Sequence, residues 1–542
     1  MTDAVAVPEI EDALPLEAGS TVPLPGHVAR RLAGGTFALG AGVFVERGLG
    51  FAANILAARW GGASTFGAYS LAVTTASQIS TYAAGGIGAT SARFSGKYPQ
   101  GSAGYSTLAR ALAVVSLVSA ALAAGALALG AAPIAHLLRK PGLTLLLQWT
   151  AVSAAGMILL ECARGFFTGQ RRLQALLLLS VLVGVGMIAW IPLAAATHRP
   201  IRMIVAQGAI TTGAVAVCLL LGRPLGLHAP GRLTEALPMA PILREVWSFG
   251  LVQLAGLIGM NLAGWWLTTL VARADTTLVQ VSYFAIANQL RNLVGLGPGL
   301  LTESSYALMG GPAGEARTAD QVMAVCTYLS TVAALLLAAC GMLVLPWGLH
   351  LLYGRAYLPA AVAIVLGLAI AVVHMGNSPA AARLTIVSLR TTGVINTVWA
   401  IFVAGAGTAF LLRGGSAAGA MLIYLAGHVL SAVLVLLALD RRQCVPRGMG
   451  RVFALGTGTM LVLAAMAWRR ELAMAEAGAH AGPHAMAWTA AMAAVLLFSM
   501  LALLLVGRAY QWLPDAAHLR NMMAGIRTRA GWPLERGGRH GA

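Results

Sequence analysis

The sequence predicts an all-α, polytopic membrane protein with about 14 transmembrane helices, two pseudo-symmetric six-helix lobes and two further C-terminal helices. Three observations carry this. Of 542 residues, 58% are hydrophobic and only 10% charged, whereas a soluble domain is nearer a quarter charged. Apolar stretches of roughly 20 residues, enough to cross a bilayer, recur from about residue 31 to residue 507. The stretches are long and lack period-2 alternation, which excludes an outer-membrane barrel and leaves helices as the only way to satisfy the backbone in lipid.

Taken in order, residues 1–29 carry five acids and several prolines. No basic segment precedes an apolar core, so they read as a short disordered cytoplasmic tail rather than a signal peptide. The N-terminal lobe, 30–223, holds spans at about 31–58, 66–91, 108–131, 143–163, 173–195 and 203–222. A cytoplasmic inter-lobe linker follows at 224–245. The second lobe, 246–440, holds spans at about 246–271, 277–300, 322–345, 357–379, 391–412 and 415–438. Helices 13 and 14 occupy 451–468 and 486–507 within 441–507. In the tail, 508–542, Leu519, Met522, Met523 and Ile526 share one helical face apart from Arg520, Arg527 and Arg529. That pattern predicts an amphipathic helix on the cytoplasmic leaflet.

Orientation follows from Lys and Arg. With the N-terminus inside, cytoplasmic segments hold 24 of them and the opposite side 10, so both termini are expected in the cytoplasm. The net charge of +18 is spread between spans in ones to fours. This is a topology signal, not a nucleic-acid face, and no nucleic-acid partner is expected.

The lobes are read as an internal repeat. At an offset of 214, Gly42, Gly50, Leu56, Ala58, Arg59 and Tyr69 fall on Gly256, Gly264, Leu270, Ala272, Arg273 and Tyr283; at 219, Arg164 and Arg171 fall on Arg383 and Arg390. Each unit has an even number of spans, so the copies point the same way. Two like-oriented bundles with a path between them are a transporter architecture.

Polar residues inside spans mark the path, because they are costly in lipid and face an interior cavity. Asn288, Arg291 and Asn292 sit at i, i+3 and i+4 in the eighth span, and the repeat places them on Thr74, Ser77 and Gln78 in the second. Arg47 and Asn54 in the first span fall on Asn261 and Thr268 in the seventh. The candidate substrate-binding set is Arg47, Asn54, Ser77, Gln78, Asn261, Asn288, Arg291 and Asn292. The plainer alternative is interhelical glue. Two guanidinium groups make such a cavity cationic and suited to phosphate. Glu46 is the candidate proton or sodium site, against a permanently paired structural carboxylate.

No catalytic, cofactor or metal site is expected. Gly96-Lys97 lacks the upstream glycine of a nucleotide loop, and Gly295, Gly297 and Gly299 lie within a span. His480 and His484 have metal-like spacing, but Gly482 and Pro483 between them are expected to break a helix. The five cysteines form no CxxC pair.

Four segments resemble one family. They are ARWGGASTFGAY at 58–69, RGFFTGQRRLQALLLLSVL at 164–182, LHLLYGRAYL at 349–358 and LRGGSAAGA at 412–420. Together, over roughly 30–440, they resemble the Wzx-type polysaccharide (O-antigen) flippases of the multidrug/oligosaccharidyl-lipid/polysaccharide exporter superfamily. The final two helices resemble the arrangement of the related lipid II flippase MurJ, whose fuller arginine set is absent here. The resemblance implies alternating-access transfer of a polyprenyl-pyrophosphate-linked oligosaccharide to the outer leaflet of the bacterial cytoplasmic (inner) membrane. It implies as partners that lipid-linked oligosaccharide, membrane lipids and other polysaccharide-assembly membrane proteins, and no enzymatic activity. A sugar head group crossing bare hydrocarbon would lose hydrogen bonds at several kcal/mol each, which such a cavity replaces.

Two other functions fit the same sequence. A cation-coupled multidrug exporter would use Glu46, although two arginines stand where acids would be wanted. A membrane-embedded polysaccharide polymerase or ligase would need a long outside loop, and the longest expected here, near 469–485, has about seventeen residues.

Overall fold

A computed structural model describes residues 26–98, 104–221, 238–309, 316–477, 481–510 and 512, and the regular elements among them are all helical. In order they are α1 (Gly26–Ala84), α2 (Ile87–Lys97), α3 (Tyr105–Leu137), α4 (Thr144–Gly169), α5 (Leu173–Ala195), α6 (Pro200–Leu220), α7 (Met239–Ala274), α8 (Val279–Met309), α9 (Ala316–Leu352), α10 (Ala361–Val387), α11 (Leu389–Leu411), α12 (Ala417–Asp440), α13 (Met449–Ala477) and α14 (Ala481–Ala509). Short 3-10 turns precede α4 and α10. Among the described residues, ten helices are long and apolar enough to cross a membrane. The chain is a multi-pass α-helical membrane protein.

Most boundaries fall within a few residues of the sequence expectation, and α5 matches it at both ends. The differences have local causes. As one straight helix, the 59 residues of α1 would run roughly 90 Å, about three times the hydrocarbon thickness. Instead the helix breaks at Gly62, whose φ of 76° and ψ of 166° lie outside the helical region. Glu46 and Thr81, on opposite sides of the break, line one cavity. The two arms are therefore antiparallel and fall where the first two spans were expected, although α1, like α7 and α8, is not among the ten helices apolar enough on composition alone. The second arm stops at Ala84 rather than 91, because Gly85 and Gly86 both take positive φ before α2 restarts.

Further along, α7 starts at Met239, so the end of the segment expected as linker is helix. α13 runs on to Ala477 and α14 begins at Ala481. Only three residues separate them, so the expected outside loop near 469–485 is mostly helix. Gly482 and Pro483 sit in the first turn of α14 instead of breaking a helix, a placement proline tolerates. His480 lies outside the described residues, and no metal-holding group of His, Cys, Asp or Glu occurs among those described. The expected N-terminal tail up to residue 25 and the amphipathic tail beyond Trp512 also lie outside them.

Packing divides by sequence. α1 packs on α4 and α5, and α4 packs on α2, α3 and α6. In the C-terminal half α10 is central and touches α8, α9, α12 and α13, while α7 packs on α11. α10 is the most buried of the candidate spans. α13 and α14 pair with each other and dock on α9 and α10. A fully buried Arg470 in α13 secures that docking. Pro346 in α9 has no N–H to offer the Met342 carbonyl four residues back. The Arg470 guanidinium donates to that carbonyl at 2.8 Å, to Leu343 O at 3.3 Å, to Thr489 Oγ1 of α14 at 3.3 Å and to Glu471 at 3.0 Å.

The halves meet through α1 against α7 and α8. Segments 58–69 and 349–358, both picked out in the sequence, touch here. Arg59 donates to Leu351 O, and the Tyr357 hydroxyl donates to Ala58 O at 3.1 Å. Ser64 Oγ donates to Thr277 O at 2.7 Å, and Lys140 Nζ to Thr276 O at 3.1 Å. A Cβ on Gly67 would lie 1.9 Å from Leu278 O, so only glycine admits this approach of α1 to the start of α8. Towards the other end, Lys97 of α2 pairs with Glu245 of α7 at 2.9 Å, and the Arg93 guanidinium lies 4.5 Å from the Phe249 ring centre.

Candidate substrate cavity

Two adjoining cavities occupy the space between the halves, and a third adjoins them inside the N-terminal half. The central one, about 440 Å³, is lined from both arms of α1 and from α5, α6, α7, α8 and α12. Asn54, Ser77, Gln78, Asn288, Arg291 and Asn292 all line it. So do Thr74 and Thr268, the repeat partners of Asn288 and Asn54. These side chains converge because the stripes sit on α1, α7 and α8, the three long helices where the halves meet. Their 3–4-residue spacing turns each stripe inward as a face.

The chamber offers amide, hydroxyl and aromatic groups. Asn288 Nδ2 donates to Phe284 O at 3.1 Å, which orients its amide. The Tyr69 hydroxyl donates to Gln207 Oε1 at 3.1 Å, joining α1 to α6. Trp265 Nε1 donates to Thr75 Oγ1 at 3.3 Å, and the indole lines the chamber. Asn54 Oδ1 and Gln289 Oε1 are buried and have no partner among the described residues. Tyr69, Gln207, Trp265, Gln289 and Tyr424 were not among the sequence candidates. Gln207 and Gln289 were readable as isolated amides within apolar spans, whereas the aromatic residues carry no such signal.

Arg47 lines a smaller cavity of about 260 Å³ that shares Arg291, Asn292 and Tyr424 with the chamber. The two arginines expected at the site therefore face one space. Neither has a carboxylate within 4.0 Å among the described residues. The Arg291 guanidinium lies 5.0 Å from the Tyr424 ring centre and donates to Asn292 Oδ1 at 3.3 Å. Asn261 departs from the expectation. It is half-buried and lines neither cavity, while its neighbour Met260 lines the one with Arg47. Thr268, on the same face of α7 seven residues on, does line the chamber, so the repeat placed the face correctly and the chamber stops short of Asn261.

Glu46 lies in a third cavity of about 550 Å³, inside the N-terminal half, with Ser77 and Gln207 as shared walls with the chamber. Its carboxylate is held by Arg164, which also reaches Glu161 at 2.7 Å. The residue expected as an ion site is thus tied across α1 and α4. The chamber can hold a neutral polar group by hydrogen bonds, and the smaller cavity beside it can hold an anionic group at two guanidinium groups that have no carboxylate partner among the described residues.

A family model described as polysaccharide biosynthesis protein matches residues 32–302. No curated protein matches the chain. Among solved structures, the lipid II flippase MurJ in an inward closed conformation aligns with a TM-score of 0.60 at 11% identity, covering 87% of this chain and 98% of its own. An inward-facing multidrug resistance MATE family transporter of the MOP superfamily aligns with a TM-score of 0.57 at 15% identity, covering 75% and 95%. An outward-facing MATE transporter of that superfamily gives 0.50 at 14% identity, covering 77% and 96%. At these identities the likeness is one of fold.

Proposed function

The chain belongs to the polysaccharide biosynthesis protein family, and from that premise we propose that it is a flippase for a lipid-linked oligosaccharide. It carries a polyprenyl-pyrophosphate-linked head group from the cytoplasmic to the outer leaflet, by alternating access between two lobes, for surface polysaccharide such as O-antigen or exopolysaccharide. The carrying observation is the pair Arg47 and Arg291, unpaired with any described carboxylate and facing one cavity beside an amide- and hydroxyl-lined chamber. Guanidinium matches phosphate oxygens, and the amides and hydroxyls replace sugar hydration. The chamber volume is in the range of small-molecule sites. The polyprenyl tail stays in lipid, so the path opens sideways.

Two structural points favour this over its rivals. Organic cations are best held by acids, no described carboxylate lines the chamber or the smaller cavity, and Glu46 is already paired with Arg164. A polymerase or ligase needs a long extramembrane loop, and α13 and α14 fill the region where one was expected. In addition, the MurJ fold covers more of this chain than the MATE fold, by about the combined length of α13 and α14.

Replacing Arg47 and Arg291 together by Ala in cells that make the polymer is expected to abolish surface polysaccharide while protein levels hold. Unchanged polysaccharide at normal protein levels refutes the site. A deletion strain is expected to be no more drug-sensitive than its parent, and raised sensitivity to organic cations would favour an exporter.

A further inference from the structure

The space between the halves is chemically uneven. The smaller cavity is lined by Arg47, Arg291, His374 and His428, with Tyr424 and Asn292, and no carboxylate lines it. The central chamber has Arg291 as its single charged lining residue; the rest is amide, hydroxyl, aromatic and apolar. Two imidazoles therefore stand with two guanidinium groups on one side of the path.

The histidines come from α10 and α12, helices without a sequence candidate. Their ring centres are 5.0 Å apart. His428 also packs 5.0 Å from Tyr424, whose ring lies beneath Arg291, and 5.5 Å from Trp399. His428 is 7% exposed, and its Nε2 has no hydrogen-bond partner among the described residues. An imidazole ring keeps a donor or a lone pair at each nitrogen, and leaving one unmatched at membrane depth is costly. The Tyr424 and Trp399 rings fix the His428 plane, so that nitrogen cannot turn away to find another partner.

We infer that His374 and His428, with Arg47 and Arg291, form a dedicated anion subsite, and that the adjoining chamber takes the uncharged part of the same head group. This rests on the proposed function and adds a polarity to it. The phosphate-bearing end lies toward α10 and α12, and the sugar lies against Asn54, Gln78 and Trp265. His428 and His374 are then binding residues outside the sequence candidates. The matching anion is a phosphate or a carboxylate, from the lipid-linked pyrophosphate or from an acidic sugar.

The test uses the full chain in lipid nanodiscs. Three ligands are titrated: polyprenyl pyrophosphate without sugar, a neutral oligosaccharide on the same lipid, and the same oligosaccharide carrying a uronic acid. His428→Phe keeps an aromatic ring but removes both nitrogens; His428→Gln returns one polar group. His428→Phe is expected to weaken polyprenyl pyrophosphate by about tenfold, with partial recovery in His428→Gln. Asn54→Ala with Gln78→Ala is expected to leave sugar-free lipid unchanged and to weaken the oligosaccharide forms. If His428→Phe weakens only the uronic acid ligand, the anion is the sugar carboxylate. If His428→Phe weakens none of the three while Arg47→Ala with Arg291→Ala abolishes binding, the subsite is wrong and the flippase reading stands. If neither substitution affects any of the ligands, both fall.

Discussion

At the scale of single residues, four intramembrane arginines have opposite surroundings. Arg470 is fully buried and spends its donors on two α9 carbonyls, Thr489 and Glu471. Arg47 and Arg291 have no described carboxylate partner and face a cavity. Arg383 is buried with Asp320 at 2.9 Å and donates to Met309 O at 3.0 Å. The roles should separate in stability. Arg470→Ala leaves the Glu471 carboxylate and the Met342 carbonyl without their partner, and removing one member of a buried pair costs about 3–5 kcal/mol. The expected result is a markedly lower melting point in detergent, largely restored by Arg470→Met with Glu471→Gln. Arg47→Ala is expected to melt as the wild type does, because it breaks no described ion pair.

At the scale of elements, the hairpin of α1 depends on Gly62. At φ 76° and ψ 166°, a region essentially confined to glycine, an L-residue is strained by roughly 1–3 kcal/mol. Gly67→Ala drives a methyl into the Leu278 carbonyl and is expected to separate α1 from α8. Reduced polymer export with a smaller loss of melting temperature would check it; normal export would show that the approach is dispensable. Ten spans were legible because hydropathy and length suffice in lipid; those on α1, α7 and α8 are more polar and were read from their place in the repeat and their inward polar stripes. The break at Gly85–Gly86 was not, since glycine is ordinary inside membrane helices and its φ is not written in composition. The stripe on α8 and the second arm of α1 were legible through 3–4-residue spacing. The pair His374 and His428 was not, because it forms only where α10 packs against α12; Tyr424 and His428, four residues apart on α12, and His374 with Asn377 and Ser378 on α10 carried the same 3–4-residue signal and were passed over. Asn261 misled for the converse reason: the repeat gives the face of α7, which Thr268 keeps, but not how far along the helix the chamber reaches.

At the scale of the molecule, contacts between halves lie at both ends of the path. At one end, the hydrogen bond from the Lys97 ammonium to Glu245 raises the Lys97 pKa. A raised lysine pKa means the tie is present below the ordinary lysine range and is lost as pH climbs through the shifted value.

The other end is closed by a short row of uncharged or backbone-directed bonds from Arg59, Ser64, Lys140 and Tyr357. Bonds of this kind are worth about 0.5–1.5 kcal/mol each, and roughly twice that when the donor is charged. The row therefore forms a latch of a few kcal/mol. A doubly charged cargo driven outward by a resting potential of about 100 mV gains about 4.6 kcal/mol. On the proposed function, the electric field acting on a doubly charged head group is thus of the same order as the latch it has to release, so export is expected to slow when the membrane potential is collapsed.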